Sequence, residues 1–319
     1  MFLKRNRSIT TGALLGVPYG LLARWLFALD GTRDYLEIMS VAFIFLVPMV
    51  LGGITVYYGT DTQRQSRSFQ VTGPWVTVFV FLLINLVLGM EALLCVIMLL
   101  PAFMFSASVG GIIMGIILRS RQRPQTLKVV LFLPLLVGLA EANIEGTQGI
   151  YEVETAIIIN SGKSVIWEEV KCIQDIKEDE LAWTLSHAIG IPKPLNAALS
   201  SEGVGGERKI TWDRGIAFTE HISSWRPEET FTYNIAIDTI PINAVDKHIE
   251  VGGKYFDIIS GGYKIDELSP SQCQVTLHTQ YEVSTRFNFY SRFWADFIID
   301  DFHQAILKLA KTRIESEGR

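Results

Sequence analysis

Five apolar stretches follow one another in the first 143 residues, and no other feature restricts the fold of this chain as strongly. A helix needs about 20 predominantly apolar residues to cross the hydrocarbon core of a bilayer. Four stretches approach or exceed that length, whereas the fifth, around Pro134, reaches it only with its flanking residues and is alternatively re-entrant or interfacial. The sequence therefore predicts an all-α transmembrane bundle with helices over about 10–29, 38–58, 75–90, 92–118 and 126–143.

Lysine and arginine are distributed unevenly among the connecting segments. The N-terminus and the segments after the second and fourth stretches together hold nine of them, whereas the alternate segments hold only Arg33. Because cytoplasmic loops accumulate positive charge, this distribution predicts a cytoplasmic N-terminus. Five crossings then place the C-terminal half outside the cytoplasm, and four crossings leave it inside.

A few residues within these stretches have expected packing roles. Arg24 lies near the outer end of the first stretch and is expected to extend to the membrane interface. Glu91 is expected in a turn between the third and fourth helices. Gly110, Gly111 and Gly115 form a small-residue face, which favours close packing of the fourth helix.

The composition changes in the second half of the chain. Residues 129–319 hold 28 Asp and Glu against 17 Lys and Arg, whereas residues 1–128 hold 5 against 11. Phosphate contacts need clustered basic residues, so this acidic half argues against a nucleic-acid partner. Alternating and β-branched residues between Gly, Pro and Asn turn signals predict strands over 151–160, 195–202, 207–212, 216–225, 230–238, 254–266 and 272–285.

Three helices complete this half. Short helices are expected over 164–172 and 180–189, after the first strand, and a long helix over 290–316 ends the chain. In the long helix, apolar residues from Phe293 to Leu309 recur at intervals of three and four, which predicts one buried face.

Four segments carry a resemblance to a known superfamily. The segments ETAIIINSGKSVIWEEVKCIQDI (154–176), GVGGERKITWDRG (203–215) and TQYEVSTRF (279–287), with the terminal helix, resemble the START-like, or polyketide cyclase/dehydrase-like, helix-grip superfamily. The resemblance implies an α+β domain over 144–319, in which a curved antiparallel sheet wraps the C-terminal helix around an apolar cavity. The chain looks most like bacterial proteins in which a multi-helix region of the cytoplasmic membrane precedes this domain.

The second half lacks the usual residue patterns of catalysis and metal binding. Its five histidines show no His-x-His or His-x-x-x-His spacing, and no Cys-x-x-Cys occurs, so neither a metal nor a cofactor is predicted. His221 and His278 lie on predicted strands and are either surface residues or, if they face a cavity, acid–base groups; Glu220 and Glu282 have the same two interpretations. The sequence favours a protein that is not an enzyme and leaves the question open.

Aromatic residues are abundant in the second half, and pockets for apolar ligands are built from such side chains. The expected cavity lining is Trp212, Phe218, Tyr233, Tyr281, Phe293 and Phe297, with His278 or Arg208 as the polar group that orients the ligand. The leading hypothesis is membrane-anchored binding of a lipid or other hydrophobic small molecule. The alternatives are a cyclase-like enzyme acting on an aromatic or hydrophobic substrate, a scaffold or sensor with an unknown protein partner, and a filled core without a usable cavity.

Overall fold

The computed structural model describes residues 2–29, 37–119, 126–142, 144, 146–241 and 250–317. The loop residues Arg33, Arg121 and Arg123, the end of the predicted fifth helix at Asn143, and His248 lie outside these ranges. The chain divides into two compact units, Met1–Gly146 and Thr147–Arg319, which are described separately.

The first unit is helical. Its elements are α1 (Phe2–Ala28), a π-helical segment (Ala42–Leu46) that continues into α2 (Val47–Tyr57), α3 (Asp61–Gln65), α4 (Arg67–Val87), α5 (Leu93–Arg119) and α6 (Thr126–Glu141). Helix α4 begins eight residues earlier than predicted, because the Ser66 side chain caps it by accepting a hydrogen bond from the Phe69 N–H. Hydropathy marks only the apolar part of such a helix.

Among the described residues, two helices are long and apolar enough to cross a membrane, namely α4 and α5. Two other apolar helical segments, Ala42–Tyr57 and Val130–Glu141, are shorter. Length and composition therefore support two of the five predicted crossings, and the transmembrane bundle as a whole stays a prediction.

Glycine allows the helices of the first unit to approach closely. A β-carbon on Gly110 would lie 1.8 Å from the Met49 carbonyl oxygen of α2, and one on Gly111 would lie 2.2 Å from the Gln70 carbonyl oxygen of α4. A β-carbon on Gly115 would meet the Gln70 side chain at 2.3 Å. The small-residue face that the sequence predicts on this helix therefore faces two neighbouring helices.

Arg24 and Glu91 are partners, although the sequence suggests two separate surface roles for them. Arg24 Nε donates to Glu91 Oε1 at 2.6 Å, and Arg24 Nη2 donates to the Met90 carbonyl oxygen at 2.8 Å. Both side chains are buried. Glu91 lies in the turn between α4 and α5, as expected, and its carboxylate compensates the buried guanidinium charge of Arg24. The extension of Arg24 to a membrane interface stays a prediction.

The second unit contains one seven-stranded antiparallel sheet. Its strands are β1 (Thr147–Ile159), β2 (Pro194–Leu199), β3 (Glu207–Trp212), β4 (Ala217–Arg226), β5 (Thr230–Thr239), β6 (Phe256–Ser269) and β7 (Gln272–Thr285). Each strand from β2 to β6 pairs with the next along the chain, and β7 also pairs with β1, which gives the order β1-β7-β6-β5-β4-β3-β2. This confirms the predicted antiparallel meander.

Three helices accompany the sheet: α7 (Lys163–Lys171), α8 (Leu185–Ile189) and the long α9 (Asn288–Glu317). Helix α8 is half its predicted length, because the Thr184 side chain caps it and Glu180 binds Arg313 instead of starting a helix. A curved antiparallel sheet with a long C-terminal helix is the helix-grip arrangement. The main core lies between the sheet, α7 and the C-terminal part of α9.

Candidate functional site

A cavity of about 210 Å³ lies between the sheet and α9. Its wall combines inward-facing residues of β2 to β7, the segment between α7 and β2, and one side of α9. The apolar part of the lining includes Ile173, Ile176, Ile191, Pro192, Pro194, Ala197, Ile210, Trp212, Ile216, Phe218, Ile235, Val251, Phe256, Ile258, Leu277, Ile298, Ile299, Phe302 and Ile306. The polar side chains in the lining are Asn196, Arg208, Glu220, Tyr233, Tyr263 and Thr279.

Strand pleating determines which side chains reach this cavity. Successive residues of a strand point to opposite faces, so Arg208, Ile210 and Trp212 of β3 share the inner face. The antiparallel register of β3 and β4 then places Arg208 opposite Glu220 and Ile210 opposite Phe218. One charged pair is thereby set into a wall that is otherwise mostly apolar.

The charged pair is a buried, well-formed ion pair. Arg208 Nη1 donates to Glu220 Oε2 at 2.7 Å, and Arg208 Nη2 donates to the Val170 carbonyl oxygen at 3.3 Å. The side chains of Arg208 and Glu220 are 3% and 10% exposed. The guanidinium carbon also lies 5.5 Å from the centre of the Tyr263 ring, within cation–π distance.

Burial and mutual attraction determine the charges of this cluster. Burial has the largest single effect and opposes the charge of Arg208, but the attraction of Glu220, together with smaller contributions from Tyr263 and Tyr233, outweighs it and holds the pKa of the guanidinium above its usual value. Burial raises the pKa of Glu220, and the attraction of Arg208 opposes that rise. Burial also raises the pKa of Tyr233 and Tyr263. The tyrosines are therefore neutral hydroxyl groups beside an ion pair.

Two donors in the cavity lining have unused hydrogen-bonding capacity. Arg208 Nε and Trp212 Nε1 are buried, and neither has a hydrogen-bond partner within the described part of the chain. Buried donors are usually paired, because an unpaired one loses its hydration without compensation. Both belong to residues that line the cavity. The described part of the chain therefore leaves both of these donors in the cavity wall unsatisfied.

Four of the eight residues expected in the lining are there: Arg208, Trp212, Phe218 and Tyr233. Tyr281 is fully buried and does not line the cavity; it packs in a cluster with Val283, Ala295 and Ile299, of which Ile299 lines the cavity. Its hydroxyl donates a short hydrogen bond to Asp296. Tyr281 therefore contacts a lining residue, Phe256, without lining the cavity itself.

Phe293 and Phe297 lie outside the lining, with exposures of 61% and 37%. The inward row of α9 is Ile298, Phe302 and Ile306, at intervals of four residues. Phe293 and Phe297 each precede by one residue a member of the row that begins with Trp294 and Ile298. On a helix of 3.6 residues per turn, this offset points them about 100° away from the cavity side. Intervals of three and four residues therefore combine two neighbouring rows of α9, of which only one faces the cavity.

The histidines singled out from the sequence face away from the cavity. His278 alternates with the inward residues Leu277 and Thr279 of β7, so it belongs to the outer face. His221 is exposed on the outer face of β4, with Nδ1 3.7 Å from the Glu207 carboxylate. Residues four apart in a regular strand share a face, but the register shift between Ile222 and Ser224 places His221 and Trp225 on opposite faces.

Two polar residues behind or within the wall were not selected from the sequence. Tyr263 lies beside Arg208, and no motif in the sequence distinguishes it from the other aromatic residues. His303 of α9 is fully buried, and its ring nitrogens lie 3.1 Å from Thr155 Oγ1 and 2.8 Å from Thr279 Oγ1. Burial lowers its pKa to about 4, so it is neutral at pH 7. The pairing of Glu220 with Arg208 could be predicted from the sequence, because a hairpin turn centred on Arg214 pairs residues that lie at equal distances from it.

No protein-family model and no curated protein matches this sequence. Among solved structures, it is similar to the Zhui aromatase/cyclase from Streptomyces sp. R1128, with 14% identity over 54% of this chain and 97% of that chain and a TM-score of 0.36. A norcoclaurine synthase from Thalictrum flavum has 10% identity over 54% and 99% of the two chains and a TM-score of 0.35. A conserved protein from Geobacillus kaustophilus has 11% identity over 52% and 97%, with a TM-score of 0.33. Likeness at this level assigns neither a family nor an activity, and the description of the fold rests on the strand order and α9.

Proposed function

We propose that this chain is a membrane-anchored protein whose second unit binds a compact hydrophobic molecule carrying one polar group. The observation that carries the proposal is the cavity between the sheet and α9, which is apolar apart from a few polar side chains that include one ion pair. Ligand pockets commonly combine an apolar lining with a few placed polar groups.

The cavity volume restricts the size of the ligand. An apolar protein cavity of about 150 Å³ takes up benzene, whereas pockets for drug-sized ligands span roughly 300–1,000 Å³. A volume of about 210 Å³ therefore suits a small ring system or a short single chain. It argues for such a molecule rather than for a complete two-chain lipid.

The ion pair favours a neutral polar group on the ligand. Arg208 is already compensated by Glu220, so a second anion would lack a free positive charge to pair with. Arg208 Nε–H can still donate to a carbonyl or hydroxyl oxygen, and a ligand hydroxyl can donate to the Glu220 carboxylate. Tyr233 and Tyr263 add hydroxyl groups at the same place.

The membrane anchor is supported by the length and apolar composition of α4 and α5. With five crossings, the distribution of Lys and Arg places the N-terminus in the cytoplasm and the second unit outside it. A reporter fused to the C-terminus tests that topology. Activity of an alkaline phosphatase fusion is expected, and fluorescence of a cytoplasmic-only reporter contradicts it.

An enzymatic role is the second candidate, because Glu220 is a buried carboxyl group in the cavity wall and burial raises its pKa. Such a group, with the hydroxyls of Tyr233 and Tyr263, can exchange a proton with a bound substrate. In the E220Q variant the glutamine side chain has the same shape as glutamate, so its amide oxygen can accept the hydrogen bond from Arg208. The variant lacks a group that can titrate. Turnover that survives this substitution excludes Glu220 as an acid or base.

The binding proposal is tested on the full chain purified in detergent. Ala197 lines the cavity, whereas Ala198 is the next residue of β2 and belongs to the opposite face. Solvent extraction and mass spectrometry are expected to find the same small molecule in wild type and A198L and much less in A197L, whose larger side chain takes up part of the cavity. Equal amounts in all three folded proteins, or none in wild type, contradict the proposal.

A further inference from the structure

Helix α9 carries an exposed row of phenylalanines at its N-terminal end. Phe289, Phe293 and Phe297 follow one another at intervals of four residues, with exposures of 75%, 61% and 37%. Residues four apart lie on one face of a helix, so the three rings form one continuous surface, called here the aromatic stripe. None of the three belongs to the cavity lining.

The aromatic stripe is confined to the first part of the helix. Further along α9 the exposed side chains are polar, with Gln304 and Lys308 as examples. At ~200 Å² for a whole aromatic side chain, the exposed fractions correspond to roughly 350 Å² of aromatic surface. Single exposed apolar residues are common, whereas patches of this size often mark an interaction site.

The aromatic stripe begins where the chain enters the second unit. Asn288, the first residue of α9, donates from Nδ2 to the carbonyl oxygens of Thr147 and Val283. Thr147 is the first residue of β1 and follows Glu141, the last residue of the apolar helix α6, by six positions. The start of the aromatic stripe is therefore fixed beside the point at which the chain arrives from the helical unit.

The area of the aromatic stripe distinguishes between its possible occupants. A stable dimer buries about 800 Å² on each partner, more than twice the surface available here. A membrane contact needs less area, because the covalent connection to an anchored helical unit already supplies a high effective concentration. Helices that lie at a bilayer interface also carry Trp, Phe and Leu on the face that enters the lipid.

We propose that the aromatic stripe of Phe289, Phe293 and Phe297 contacts the lipid surface of the membrane in which the first unit is anchored. The inference rests on the membrane anchor of the proposed function and is independent of the cavity and its ligand.

The test places the photoreactive residue p-benzoylphenylalanine at position 293 of the full chain, in bilayers of phosphatidylcholine and phosphatidylglycerol. Gln304 on the polar part of the same helix is replaced in a matched control. After irradiation, mass spectrometry is expected to find a lipid adduct when the photoreactive residue is at position 293. No such adduct is expected when it is at position 304. A crosslink to the first unit, a crosslink to a second copy, equal adducts at both positions or no adduct overturns the proposal.

Carbonate extraction of the same membranes separates this proposal from the membrane anchor. If the chain stays in the membrane pellet but has no adduct at position 293, only the contact of the aromatic stripe is refuted and the anchor stands. A chain released into the supernatant refutes the anchor, and the contact of the aromatic stripe falls with it.

Discussion

Replacing Glu220 by glutamine removes the negative partner of a buried ion pair and leaves the Arg208 guanidinium uncompensated inside the second unit. The side chains of Arg208 and Glu220 are 3% and 10% exposed, so solvent screening offers little relief. Removal of one partner of a buried pair costs about 3–5 kcal/mol. At about 2–4 °C per kcal/mol for a unit of this size, E220Q is expected to lower the melting temperature by about 6–20 °C.

The double substitution R208M/E220L removes both charges and keeps apolar side chains of similar length. Replacement of a buried pair by apolar residues is often neutral or stabilising, although Tyr233 and Tyr263 lose a polar neighbour here. A hydroxyl left without a partner costs about 1–3 kcal/mol. The double variant is therefore expected to be more stable than E220Q without necessarily reaching wild type.

Thermal unfolding of the full chain, followed by tryptophan fluorescence, measures these differences, since five of the seven tryptophans lie in the second unit. A double variant no more stable than E220Q refutes the view that an uncompensated charge dominates the loss. The same proteins test the role of the pair in binding. A stable double variant that has lost the co-purified molecule supports orientation of the ligand by Arg208 and Glu220.

Two further predictions concern stability. Burial lowers the pKa of His303 from 6.5 to about 4, so the unfolded chain takes up a proton at higher pH than the folded one, and stability falls as the pH drops through this window. The loss attributable to this residue is about 3 kcal/mol, and denaturant unfolding of H303Q at pH 7 and pH 4.5 should show a smaller pH dependence than wild type. In the first unit, G110A places a β-carbon 1.8 Å from the Met49 carbonyl oxygen, whereas G53A meets Met114 Cε at an ordinary 3.5 Å. Thermal scans in detergent should show a marked loss for G110A and little for G53A, and equal melting temperatures contradict the close helix contact.

Much of the second unit could be predicted because its signals are local. Alternating residues between turn signals mark the strands, and β3 and β7 have the predicted bounds. The predictions failed where a shift of one residue moves a side chain to the other face of a strand or helix. The register shift between Ile222 and Ser224 reverses the parity of β4, and an offset of one residue separates Phe297 from Ile298 on α9.

The two ion pairs differ in how far the sequence could reveal them. Arg208 and Glu220 are joined by a short hairpin, so the register follows from the position of the turn. Arg24 and Glu91 are 67 residues apart and meet only through helix packing, for which the sequence holds no local signal. The volume of the cavity is likewise invisible to periodicity, since a filled core and a hollow one use the same inward-facing residues.

The energetics of the cavity bear on whether the second unit is simply an imperfectly packed core. Residual cavity volume costs about 24 cal/mol per Å³ in core-truncation series, so any part of this space that stays dry loses packing energy relative to a filled core. The buried ion pair adds a desolvation cost that its own attraction barely offsets. Both costs fall on the same site, and both diminish when a molecule fills the space and pairs with Arg208 Nε. A ligand that does so should therefore stabilise the second unit by an amount that rises with the logarithm of its concentration relative to the dissociation constant, about 2.7 kcal/mol at a hundredfold excess. A molecule recovered from the wild-type protein that produces no such shift when it is added back does not belong in this cavity.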